Sequence, residues 1–271
     1  MSELSLPAAP KYASPRPRLK KPSRFLLFSE WRWMLEFNAS LAAVPALFGA
    51  KRGDGHGVLV IPGFLAGDMS TNMLRRFLTF LGYKTYGWEL GGNYGGVYGM
   101  RAKLRGRLDD IVAETGGKVS IVGWSLGGVY ARDLALSRPN AVRYVITMGS
   151  PFAGDLSATN AGKLYEILSG ETVSDAQSED LEKLAGPLPM PSTSFYTKTD
   201  GIVNWKTCLG GDYPRSENVE VLASHIGLGV NPAVLWAVAD RLAQPDNTFV
   251  PFDRSGPFTM AYPRPRSRSV A

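Results

Sequence analysis

The chain has 271 residues, 44% of them hydrophobic and 20% charged, the composition of a globular protein with one large or two small domains. One cysteine, Cys208, excludes an intramolecular disulfide framework and a multi-thiolate metal site. Two histidines, His56 and His225, leave little for a histidine-rich metal centre. The net charge of +6 does not signal nucleic acid, because it sits in the tails: Lys11, Arg16, Arg18, Lys20, Lys21 and Arg24 against Glu3 at one end, and Arg254, Arg264, Arg266 and Arg268 against Asp253 at the other, which leaves residues 25–249 at −2.

Residues 1–24 and 251–271 read as disordered basic tails, with too few apolar side chains to offset the entropy of ordering. Residues 25–50 read as an amphipathic helix. Phe25, Leu26, Leu27, Phe28, Trp31, Trp33, Met34, Leu35 and Phe37 crowd together, and Ser29, Arg32, Glu36 and Ser40 form a narrow polar stripe. The helix either packs on the body of the protein or lies in a membrane surface, with peripheral contact through residues 11–48 and the basic arm drawn to anionic lipid. Charged residues interrupt the apolar run and a long arm precedes it, so a secretory signal is not expected. The expected location is cytoplasmic, with membrane association as the alternative. No apolar run reaches the roughly 20 residues that span a bilayer.

From Gly55 onward strands and helices alternate. GVLVI at Gly57–Ile61 suits a buried parallel strand. Further strands are expected at 83–88, 118–122, 142–148, 194–197 and 219–222, and helices at 69–82, 98–115, 126–137 and 232–243. The pattern predicts an α/β domain over 51–250: a mostly parallel central sheet of about six strands with helices on both faces. Ligands bind such sheets at the carboxyl ends of the strands.

Between the third strand and its helix stands Gly123-Trp124-Ser125-Leu126-Gly127. This G-x-S-x-G string has the strand–turn–helix context that raises a nucleophilic serine on a tight turn. The hydroxyl needs a base, and the base needs a carboxylate to orient it. His225 follows the last strand and belongs to the same edge as Ser125. His56 precedes the first strand, belongs to the opposite edge and reads as a solvated loop residue. Asp200, in the loop after a strand, is the expected acid, with Asp155 next and Asp212 and Glu220 less suited. The oxyanion donors expected are the backbone N–H groups of Leu126 and of Phe64, with Leu65 the alternative to Phe64.

These residues resemble the α/β-hydrolase superfamily, and within it the bacterial esterase/lipase-like serine hydrolases. The resemblance covers residues 55–245 and rests on VLVIPGF, GYKTYGWELGGN, GWSLGGVYAR, the Gly-Ser-Pro at 149–151, DGIVNW and SHIGLGVNPAVLWAVADRL. It implies the short version of that fold, with Ser125 as nucleophile, Asp200 as acid and His225 as base. Two positions depart from the family pattern: Pro62-Gly63 stands where many relatives have His-Gly, and Trp124 where a histidine is usual. Residues 151–191 are expected to form a small cap or lid, helical near 163–168 and 179–184. Residues 90–99 either overhang the site or form a loop without a substrate role. Leu65, Trp124 and Phe152 are expected to line an apolar substrate pocket. The expected activity is cleavage of a small-molecule or lipid-like carboxylic ester through an acyl-enzyme, with no metal or organic cofactor. An acyltransferase using the same triad and a catalytically silent binding protein are the alternatives.

Overall fold

The computed structural model describes residues 19–153, 158–162, 165–166 and 178–263. Its centre is a six-stranded, wholly parallel sheet: β1 (Gly57–Ile61), β2 (Lys84–Gly87), β3 (Val119–Trp124), β4 (Val142–Met148), β5 (Ser192–Tyr196) and β6 (Ser216–Glu220). Their order is β2-β1-β3-β4-β5-β6. All five residues of β1 are buried, as its unbroken apolar run requires. Its side chains alternate between two cores. Val58 and Val60 join one cluster, and Leu59 and Ile61 the other.

Helices cover both faces. The Val58 cluster packs against α3 (Val44–Leu47), α4 (Asn72–Phe80) and α8 (Pro232–Leu242), through side chains such as Leu47, Leu74, Leu78, Leu235 and Val238. The Leu59 cluster packs against α5 (Val97–Thr115) and α6 (Leu126–Ser137), through Leu104, Leu108, Ile111, Tyr130 and Leu134. The chain leaves β1 for the edge strand β2 and returns to β3 on the other side of β1. The carboxyl ends of β1 and β3 therefore flank a switch point, where parallel sheets open a crevice for ligand.

The expected tails need correction. Phe252 and Tyr262 are buried, and the Tyr262 hydroxyl donates to Ala233 O at 2.6 Å, so residues 251–263 pack along α8 instead of forming a tail. At the other end, Lys20 O and Pro22 O accept bonds from Asn204 and Asn160. In both stretches, a few specific contacts outweigh the unfavourable average composition.

Residues 24–48 are helical but broken: α1 (Arg24–Phe28), a 3₁₀ turn (Ser29–Arg32), α2 (Trp33–Ala42) and then α3. The segment packs on the body, and it does so with its polar side. Arg32 donates to Thr199 O and Ala223 O, Glu36 accepts from Ser224 N–H and Asn231 Nδ2, and Ser40 bonds Val230 O. The stripe visible in the sequence is thus a docking seam, and most of the apolar side chains before Leu47, among them Phe25, Phe28, Trp31, Leu35 and Leu41, face outward.

Candidate active site

Ser125 sits where β3 gives way to α6, with φ 53° and ψ −122°, a strained conformation for a non-glycine residue. The neighbouring glycines make the turn feasible. A Cβ at Gly123 would collide with Gly127 O and Gly128 Cα, and one at Gly127 with Ile61 O and Pro62 O. Ser125 N–H donates to Met148 O at 2.8 Å, which fastens the turn to the end of β4. Among the described residues the Ser125 hydroxyl carries no hydrogen bond.

His225 and Asp200 are both buried, each four or five residues beyond a strand end. The Nδ1–H of His225 donates to Asp200 Oδ2 at 2.6 Å. The other oxygen of Asp200 accepts N–H bonds from Ile202 (2.8 Å) and Val203 (2.7 Å), which fixes the orientation of the carboxylate toward the imidazole. Burial pulls the imidazole pKa down, but the Asp200 charge and hydrogen bond, with the Glu30 charge, more than offset this and raise it above its ordinary value. A Cβ at Gly149 would lie 3.0 Å from His225 Nδ1. Gly149 directly follows Met148, the partner of Ser125, so imidazole and serine share the rim at the end of β4.

The loop after β1 closes the other side. A Cβ at Gly63 would lie 3.1 Å from Ser125 Cβ and 3.8 Å from its hydroxyl. Leu65 N–H donates to Asn93 O at 2.7 Å, which removes it as an oxyanion donor. The N–H groups of Phe64 and Leu126 have no acceptor among the described residues. Asn93 is fully buried, and its Nδ2 also donates to Pro62 O at 2.9 Å. The glycine-rich loop at 90–99 therefore braces the β1 loop from below.

An apolar cleft opens beside Ser125. Phe64, Leu126, Val129 and Pro151 line it, with Thr159, Ala161, Gly162 and Tyr165 from the segment between β4 and β5 and Ile202 and Val203 from the Asp200 loop. The three pocket residues expected from sequence lie elsewhere. Leu65 is half-exposed beyond the β1 loop. The Trp124 indole turns away to donate to His225 O at 3.1 Å. Phe152 is buried beneath the Arg132 guanidinium, 4.2 Å from the ring centre. Asp155 and much of the 163–168 stretch lie outside the described residues. The helix expected near 179–184 is present as α7 (Ser178–Ala185), tied down by Arg132 bonds to Leu184 O and Gly186 O.

Glu30, in the 3₁₀ turn of the N-terminal segment, has no counterpart in the expected site. It is buried, and its carboxylate accepts three backbone N–H groups: Gly201 at 2.8 Å, His225 at 3.1 Å and Ile226 at 2.9 Å. One side chain thus joins the loop of the acid to the loop of the imidazole. His56 is not solvated as expected. At the amino edge of the sheet it bonds Asp54 Oδ1 (2.5 Å) and Ser120 Oγ (2.8 Å).

Comparison with solved structures identifies the architecture as the α/β-hydrolase fold. Aspergillus fumigatus lipase B is similar with a TM-score of 0.57 and 14% identity, over 71% of this chain and 53% of that one, so the chain spans about half of that enzyme's length. A structure from the work on LipS and LipT, two metagenome-derived lipolytic enzymes, is similar with a TM-score of 0.53 and 15% identity, over 71% and 93% of the two chains. Bacillus licheniformis lipase BlEst2 in mature form gives 0.51 and 18%, over 73% and 94%. No family model and no curated protein matches the chain.

Proposed function

We propose that the protein is a serine hydrolase that cleaves carboxylic esters through an acyl-enzyme, with Ser125 as nucleophile, His225 as general base and Asp200 as its orienting carboxylate. The observation that carries this reading is the buried His225–Asp200 pair, 2.6 Å apart, on the rim where the strained Ser125 is presented. The lipase and lipolytic neighbours support it.

In the proposed reaction, the Ser125 oxygen attacks the ester carbonyl while Nε2 of His225 takes its proton. The Asp200 carboxylate holds the opposite nitrogen protonated and stabilises the imidazolium. The N–H groups of Phe64 and Leu126 receive the oxyanion, and the amino end of α6 adds a favourable dipole. The imidazolium protonates the departing alkoxide. Water then gives a proton to His225, attacks the acyl carbon and releases the acid with a restored Ser125 hydroxyl. The reading requires a Ser125–His225 hydrogen bond, a contact that such sites often tighten only when substrate binds. No charged side chain is among the cleft's described lining residues, which favours an uncharged acyl chain.

A panel of p-nitrophenyl esters graded by acyl length tests the reading. Wild type hydrolyses the panel with an acyl-length optimum, and Ser125→Ala lowers the rate by about 10³-fold or more. Equal rates for the two proteins overturn it.

A further inference from the structure

The N-terminal segment is an amphipathic element seated the opposite way from a usual surface helix. Between Phe25 and Gly49 the charged side chains are Glu30, Arg32 and Glu36, and all three turn toward the body. The outward side carries Phe25 (78% exposed), Phe28 (77%), Trp31, Leu35, Leu41 and Phe48, and the single exposed polar side chain in this span is Asn38. The segment cannot roll over to hide this surface, because its polar seat is saturated by the Glu30 and Glu36 carboxylates. A contiguous exposed apolar strip of this kind marks a contact surface.

Charge identifies the occupant. Exposed Lys20, Lys21 and Arg24 stand at the start of the strip, after Lys11, Arg16 and Arg18 in the sequence, and exposed Arg52 stands at its end beside Lys51, which pairs with Asp240 at 2.5 Å. A second copy of the chain, laid parallel or antiparallel, would bring cations against cations at both ends. A lipid surface with anionic headgroups instead satisfies both ends and takes the aromatic side chains between them. Among the described residues no helix is long and apolar enough to cross a membrane, so the contact would be peripheral.

We propose that residues 20–52 dock the protein on an anionic membrane surface, with the apolar strip in the acyl–headgroup boundary and the flanking cations on lipid phosphates. The start of this segment borders the cleft: Asn160 bonds Pro22 O, and the adjoining Thr159, a cleft residue, bridges to Val203. Docking would thus set the cleft beside the lipid, which, resting on the hydrolase reading, makes a membrane-resident acyl ester the substrate class.

The docking is tested without reference to activity, by co-sedimentation of the full chain carrying Ser125→Ala with vesicles. Phosphatidylcholine mixed equally with phosphatidylglycerol should sediment the protein, and phosphatidylcholine alone far less. Phe25→Asp with Phe28→Asp should weaken binding by about tenfold or more. Lys20→Glu with Lys21→Glu and Arg24→Glu should remove its dependence on salt and anionic lipid. Thermal melts confirm folding, since all five side chains are exposed. Protein that stays in the supernatant with anionic vesicles, or binding that the aspartates leave unchanged, overturns the proposal. A dimer in ultracentrifugation that the aspartates dissolve would assign the strip to a second copy and also overturn it.

Discussion

Glu30 and His225 are joined at the backbone: the Glu30 carboxylate accepts the His225 N–H at 3.1 Å while holding Gly201, next to Asp200, at 2.8 Å. Glu30 therefore acts on the imidazole in two ways, by fixing its loop and by placing a negative charge near it. Glu30→Gln removes the charge and retains one acceptor. The acidic limb of the kcat/KM profile should move to lower pH, because one influence raising the His225 pKa is lost, and kcat should fall. Glu30→Ala should further cost about 2–4 kcal/mol of stability, since three buried N–H groups lose their acceptor. An unshifted limb in Glu30→Gln would reduce Glu30 to a structural tie.

The raised pKa of His225 sets the pH dependence of the proposed reaction. A general base must be neutral, so the rate should climb with pH through a value above the ordinary histidine pKa of about 6.5. Asp200→Asn removes the main influence that raises it. The limb should then move down while the maximal rate drops by about 10⁴-fold through loss of the correct tautomer. For stability, a raised folded pKa gives a contribution that is complete below about 6.5 and lost as pH rises through the folded value. Rate and this part of stability therefore move in opposite directions with pH. A profile in which Asp200→Asn shares the wild-type limb would detach Asp200 from the imidazole.

Much of this arrangement was legible in the sequence, and the parts that were not share a physical cause. GVLVI is apolar at every position and its strand is buried on both faces, so composition alone located β1. The turn at Ser125 needs glycines at fixed offsets, and those offsets are local. Glu30, Asn93 and Arg132 act across 171–196, 27–37 and 52–54 residues, and no local pattern encodes such pairings. The stripe of Ser29, Arg32, Glu36 and Ser40 was visible as a stripe. Its direction was not, because the backbone groups it satisfies belong to loops near 199, 223 and 230 that only the fold brings together. Trp124 adjoins Ser125 in sequence and Phe152 follows the end of the neighbouring strand β4, but the Trp124 indole turns to His225 O and Phe152 packs in the core.

His56 offers an internal control, because Asp54, His56 and Ser120 reproduce the chemistry of the proposed site at the opposite edge. Ser120 is wholly buried within β3 and lacks the strained turn. Burial lowers the His56 pKa, and the nearby Arg143 charge adds to this against the influence of Asp54. For Asp54, burial acts upward, and bonds to His56 and Arg143 prevail and bring it to about 2. A depressed histidine pKa gives stability that is present above about 6.5 and lost as pH falls through the folded value. The wild-type melting temperature should therefore decline on the acid side, and His56→Gln should be less stable but flatter in that range. A fluorophosphonate probe should label Ser125 and leave Ser120 untouched. Labelling of Ser120, or a full rate loss in a folded His56→Gln protein, would move the chemistry to the wrong edge.

The backbone of Ser125 gives a stability test that separates strain from chemistry. At φ 53° and ψ −122° a Cβ is disfavoured, at a cost on the order of 1–3 kcal/mol. Glycine relieves that cost but adds freedom to the unfolded chain worth about 0.4–1 kcal/mol. Alanine removes the hydroxyl and keeps the strain. Ser125→Gly should therefore melt higher than Ser125→Ala, by about 1 kcal/mol in unfolding free energy, although both are inactive in ester cleavage. The difference belongs to the backbone alone, because neither variant retains the hydroxyl and the N–H bond of residue 125 to Met148 O survives in both. If denaturant unfolding shows alanine equal to glycine, the turn is not held under strain, and the presentation of Ser125 needs another origin.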